Sequence, residues 1–191
     1  MVQRLLAAWD RLEKQGMTKV LLDLRGNPGG LGAMAMGLGG HFLDQPKSLG
    51  RMSNREGFID FLVNPRRATA DGRSVKPYAG PLVILVDPLT ASTSEIFAAG
   101  LQELDRAVVI GQTSAGAALP SVAVRLPNDD VLQYAMADFV TPRGNRIEGH
   151  GVVPDVVVPL SAELLRREPD PALAAALRWI AARHRATRSD G

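Results

Sequence analysis

Residues 81–104, PLVILVDPLTASTSEIFAAGLQEL, constrain the fold of this chain more than any other stretch. Leu82 to Val86 is a short apolar run rich in β-branched residues and opened by Pro81, the pattern of a strand buried on both faces. Asp87, Pro88 and Thr90 interrupt it. From Ala91 the period becomes helical, with Ile96, Phe97, Gly100, Leu101 and Leu104 at three- and four-residue steps. Ser92 and Ser94 therefore stand where a strand turns into a helix. A serine there serves as a helix cap. That is the commoner role, but the place also suits a nucleophile, because the helix dipole and nearby free N–H groups stabilise an oxyanion. The stretch alone leaves both roles open.

A second unit has the same layout. Thr18 to Leu24 reads as a buried strand, Arg25-Gly26-Asn27-Pro28-Gly29-Gly30 as a glycine loop, and Leu31 to about Leu43 as a helix. Unshielded N–H groups before a helix suit an anion or oxyanion. A tight turn needs glycines too. No Gly-Lys-Ser/Thr follows and the G-x-G-x-x-G register is absent, so a nucleotide fingerprint is lacking. Two strand–loop–helix units put both loops at one end of one sheet, and the class is α/β.

The remaining elements are simpler. Residues 2–15 form an amphipathic helix with Leu5, Leu6, Trp9 and Leu12 on one face, ended by Gly16. Residues 44–80 hold at most one short strand, near Arg51–Arg55, and an exposed stretch around Asn64–Pro77. Ala107–Gly111 is a strand, and Ser121–Leu126 with Val131–Ala137 a hairpin around Pro127–Asp130. Asp138–Gly151 is a polar loop and Val152–Pro159 a last strand. Residues 161–186 are one or two helices broken at Pro169, with Leu173, Leu177, Trp179 and Ile180 inward. A core over residues 1–182 and a disordered, solvated tail over 183–191 are expected.

Composition excludes several functions. The 191 residues are 46% hydrophobic and 22% charged, ordinary for a globular domain. A net charge of +2 with scattered arginines does not favour nucleic acid as a partner. Without cysteine there is no disulfide, thiolate metal site or cysteine nucleophile. No apolar run approaches the roughly 20 residues of a membrane span, and the N-terminal segment is charged throughout, unlike a signal peptide. No cofactor and no metal are expected.

Four motifs in order carry a resemblance: Asp23-Leu24-Arg25-Gly26-Asn27-Pro28-Gly29-Gly30, Thr90-Ala91-Ser92-Thr93-Ser94-Glu95-Ile96, Gly111-Gln112-Thr113-Ser114-Ala115-Gly116, and Glu148-Gly149-His150-Gly151-Val152-Val153-Pro154-Asp155. Together they resemble the S41 peptidases, the tail-specific or C-terminal processing proteases and their tricorn-like relatives. The resemblance implies a ClpP/crotonase-like fold of repeated strand–strand–helix units. It implies Ser92 as nucleophile and an oxyanion hole from the amides of Gly29 or Gly30 and of Thr93. Ser94 and Glu95 are then supporting groups. The substrate would be a peptide or unfolded protein.

The departures are specific. Ala117 stands where the tail-specific branch has its lysine base, and Ser121 where it has the glutamine that orients that lysine. No lysine follows Lys76. The tricorn-like branch uses serine, histidine and glutamate. Glu148 resembles that glutamate, but the histidine belongs to a strand upstream of the glycine loop. Of the three histidines here, His184 is expected in solvent and His41 at the surface or as a helix C-terminal dipole partner. His150 is the internal candidate base, or a loop residue facing water. The resemblance also implies an upstream strand and a PDZ module, so either a fragment is expected or a shortened relative whose sheet another chain completes. The family is mostly exported. Competing readings are a peptide-binding pseudoenzyme, a crotonase-type acyl-CoA enzyme and a structural scaffold.

Overall fold

The computed structural model describes residues 2–69 and 72–189. Helix α1 (Val2–Lys14) buries Trp9 and stops at Gly16, whose φ of 75° suits a glycine. Strands β1 (Val20–Asp23), β4 (Leu82–Val86), β5 (Val108–Gly111) and β9 (Val156–Val157) form a parallel sheet in the order β1-β4-β5-β9. The register pairs Val20 with Leu82 and Val83 with Val108.

Central β4 explains why one apolar run suffices. Its side chains alternate between two cores. Leu82, Ile84 and Val86 point into the larger core with Trp9, Phe42, Leu49, Phe97 and Leu101. Val83 and Leu85 meet Ile110, Ala176 and Ile180 on the other face. Each such side chain contributes roughly 1.5–3 kcal/mol when fully buried.

Helix α2 (Gly32–Gly39) follows β1, and α3 (Thr93–Glu103) follows β4. Because β1 and β4 are parallel neighbours, the loops leading into both helices leave the same edge of the sheet. That end carries the site.

Residues 44–80 hold two strands rather than one. Strands β2 (Lys47–Asn54) and β3 (Gly57–Val63) pair antiparallel, and β8 (Asp138–Val140) adds to β2 from within the expected polar loop. A register shift between Ser48 and Arg51 breaks the two-residue period that would have revealed β2. The hairpin turn is held by the Asn54 carboxamide, whose Oδ1 accepts the N–H groups of Glu56 and Gly57. Hairpin β6 (Ser121–Arg125) and β7 (Val131–Ala135) is close to its expected position.

The last strand is shorter than Val152–Pro159. Only Val156 and Val157 pair with β5, because Pro154 and Pro159 lack donors, the Val152 amide donates to Ser114 Oγ and the Asp155 carboxylate accepts the Val109 amide. Helix α4 (Ala162–Arg167) is capped by Ser161, and α5 (Pro171–Ser189) by Asp170. Leu177 is 56% exposed, contrary to expectation, since α5 turns Ala176 and Ile180 toward the sheet. Leu12 is also exposed. The backbone of α5 runs through Ser189, while the side chains from 183 onward, His184 among them, lie outside the described residues. Among the described residues no helix is long and apolar enough to cross a membrane.

Candidate active site

The glycine loop and the serine turn are laced together by backbone-directed bonds. The Gly26 amide donates to Asp87 Oδ1 at 2.9 Å, and the Ala91 amide to the Asn27 carbonyl at 3.0 Å. Buried Thr90 donates through Oγ1 to the Leu24 carbonyl at 2.9 Å, and Thr93 Oγ1 to the Gly30 carbonyl at 2.7 Å. Contact is closest at Gly29, with φ 91°. A Cβ there would lie 2.7 Å from the Ala91 carbonyl oxygen and 2.8 Å from both Ser92 Cβ and Thr93 N. Only glycine lets the two loops meet.

Ser92 is not an ordinary cap. An N-cap residue normally has extended backbone, whereas Ser92 has φ 55° and ψ −126°. A non-glycine residue in that region is strained by about 1–3 kcal/mol and persists only where its surroundings enforce it. A sharp strand-to-helix turn of this kind lifts a serine side chain clear at the head of the helix. The Thr93 amide, at the first position of α3, and the Gly30 amide donate to no protein acceptor among the described residues. The Gly29 amide is occupied, donating to Asn27 Oδ1 at 3.0 Å.

Glu95 enforces the turn. It is fully buried and accepts four hydrogen bonds: from the Ser92 amide (2.9 Å), Ser114 Oγ (2.5 Å), the Gly116 amide (2.7 Å) and the Ala117 amide (3.0 Å). A carboxylate withdrawn from water needs such partners. Ser114 passes the link on, accepting the Val152 N–H at 2.6 Å. Sequence reasoning placed Glu95 as a supporting group and missed Ser114, whose signal is a hydroxyl in the loop between β5 and β6. Ser94 is buried in the first turn of α3.

The third loop closes the site. The Ala117 carbonyl lies 3.0 Å from the Ser92 amide, so residue 117 sits beside the turn, as the motif spacing implies. A methyl group occupies that place, and Ser121 is engaged in the hairpin, accepting from Gln133 Nε2. Glu148 Oε2 accepts the amides of Ala118 and Leu119 at 2.8 and 3.1 Å, pinning the same loop from below.

Neither described imidazole, of His41 or His150, takes the base position. His150 Nδ1 lies 2.9 Å from the Glu148 carbonyl, and its exposed ring lines a cavity beside Gln102 and Glu103, at the far end of α3 from Ser92. His41 departs from expectation: it is 4% exposed, its ring 4.6 Å from that of Trp9 and its Nδ1 3.3 Å from Arg66. Burial, and then the Arg66 charge, push its pKa down to about 4. Among the described residues no lysine or histidine hydrogen-bonds Ser92, and no group of three His, Asp or Glu side chains could hold a metal ion.

Comparisons with known proteins bear on the family and the fold. The model of peptidase family S41 matches residues 2–158. A carboxyl-terminal-processing protease of Picosynechococcus sp. is 33% identical over 155 residues, which are 81% of this chain and 35% of that protein. Among solved structures, a photosystem II D1 C-terminal processing protease superimposes with a TM-score of 0.64 at 29% identity, covering 85% of this chain and 41% of the other. An S41 protease from Bacteroides fragilis reaches a TM-score of 0.75 at 19% identity, over 94% of this chain and 49% of the other, a likeness of fold alone. The chain spans about a third of the length of the curated relatives it matches. Its fold is the ClpP/crotonase-like one that the four motifs implied. Motif order, fold and the meeting of the loops converge, and the chain belongs to peptidase family S41.

Proposed function

We propose that this chain is the core of a serine peptidase that cleaves polypeptide substrates, unstructured C-terminal segments among them, through an acyl-enzyme on Ser92. The Ser92 hydroxyl attacks the scissile carbonyl as its proton passes to a general base, which returns it to the leaving amine when the C–N bond breaks. Water then hydrolyses the ester and frees Ser92. The oxyanion formed in the attack accepts hydrogen bonds from the Gly30 and Thr93 amides, while Gly29 supplies the close approach. Donors fixed in advance, where charge develops, are what such a site contributes. One observation carries this reading: the strained backbone of Ser92, held by Glu95 beside two backbone donors without protein acceptors.

The base is a group other than a lysine at 117. In the tricorn-like reading a histidine from an upstream segment fills the space above Ala117, with Glu148 orienting it. A second reading, a peptide-binding pseudoenzyme, is favoured by that alanine and by the place of His150. Hydrolysis of unstructured peptides by the full-length protein decides between them. Turnover that Ser92→Ala abolishes and Glu148→Gln diminishes supports the peptidase. Peptide binding without turnover supports the pseudoenzyme. Recovery by Ala117→Lys alone, with Glu148→Gln silent, would mark a tail-specific enzyme that has lost its base.

A further inference from the structure

We infer that Asp170, at the head of α5, is a positioning residue that holds the glycine loop in register with the Ser92 turn through Arg25. Asp170 lies beyond the residues matched by the family model, which end at 158. Arg25 immediately precedes Gly26. Its guanidinium is shared between two carboxylates: Nε and Nη2 donate to Asp23 at 2.9 and 2.7 Å, and Nη1 and Nη2 to Asp170 at 2.8 and 2.9 Å. The fork is therefore fixed in orientation, which a single ion pair would not achieve. These bonds lower the pKa of both aspartates and raise that of Arg25.

What lies beneath gives the bridge its importance. A cavity of about 210 Å³ opens between Arg25, Asp87, Gly111, Leu165 and Asp170. On that side the bridge spans the cavity and links the start of the loop to the head of α5. Residues 159–170 thus reach back to the first loop of the site. The effect on catalysis rests on the peptidase reading; the effect on loop order does not.

Asp170 also caps α5 by accepting the Leu173 amide at 3.0 Å. Asparagine caps a helix as well as aspartate does, so Asp170→Asn keeps the cap and removes the charge facing Arg25. The test is hydrogen–deuterium exchange on the intact protein and on Asp170→Asn, Arg25→Gln and the double variant, with fluorophosphonate labelling of Ser92 in parallel. The bridge is partly exposed, with 28% and 34% of its side-chain surfaces open, so a moderate change is expected. Exchange over residues 24–31 should quicken about fivefold in Asp170→Asn. The double variant should be no faster than Arg25→Gln alone, exchange in α3 should not change, and Ser92 labelling should slow. Unchanged exchange over 24–31, or equal acceleration throughout the chain, would overturn the inference. Failure of the wild-type protein to label, with loop exchange behaving as described, would count against the peptidase reading and leave the bridge standing.

Discussion

Two residues, Leu119 and Pro120, separate two parts of this chain that obey different physics. Up to Ala118 the serine turn and its neighbouring loops are tied by hydrogen bonds that cross long stretches of sequence, with buried Glu95 at their centre. From Ser121 the β6–β7 hairpin has local pairings only, and Val124, Val131, Leu132 and Tyr134 are all exposed. A two-stranded ribbon is at best marginally stable by itself. The contrast teaches where rigidity is placed: in the turn that must keep Ser92 strained, and not in the ribbon that leaves it.

The sharpest way to break the comparison is Glu95→Ala. The Gly116 and Ala117 amides and the Ser114 hydroxyl would lose their acceptor, each costing about 1–3 kcal/mol where water cannot reach, while the Ser92 amide would keep only the Ala117 carbonyl. A loss of roughly 3–5 kcal/mol in urea denaturation is expected, or no folded protein at all. Glu95→Gln should lie between, since one amide oxygen cannot serve every donor. A loss below about 1 kcal/mol would show the turn to be held by something else.

Acid probes a third region, apart from both. His41 has a folded pKa of about 4 against an ordinary 6.5, so between these values the unfolded chain binds more protons. Its contribution is fully present above pH about 6.5 and is lost as pH falls to about 4, up to about 3 kcal/mol in all. The stability–pH curve of His41→Leu should be flatter over that window, while Val124→Thr in the hairpin should leave its shape unchanged.

Gly29→Ala presses directly on the turn. With φ 91° and a Cβ within 3 Å of Ala91, Ser92 and Thr93, it should cost about 1–3 kcal/mol. Ser92 labelling should fall by more than the lost stability explains, because the methyl group would crowd the Thr93 amide, one of the two proposed oxyanion donors. At the other extreme, Arg125→Ala removes an exposed pair with Asp129 at the hairpin tip. Its thermal unfolding should match the wild type, a change of less than about 0.5 kcal/mol.

The sequence disclosed the parts whose cause is local. Leu82–Val86, the turn and α3 were legible because apolar spacing changes period within a few residues. The glycine loop was legible because backbone geometry restricts its residue types, whereas Ser92 was singled out only by the order of the four motifs. The hidden parts depend on distant partners. Strand β2 was obscured by its register shift near Gly50, and the last strand was overcalled because bonds from Val152 and to Asp155 replace its pairing. His41 looked like a surface residue because nothing nearby in sequence announces that Trp9 and Arg66 enclose it. The four partners of Glu95 come from two loops, and Asp170 meets Arg25 across 145 positions.

If the strained serine is the reactive one, a fluorophosphonate adduct mapped on the full-length protein will show it. The adduct should lie on Ser92, vanish in Ser92→Ala and persist in Ser94→Ala, whose hydroxyl is buried in the first turn of α3. Labelling that survives Ser92→Ala, or equal labelling of the two variants, would show that Ser92 is not the reactive serine.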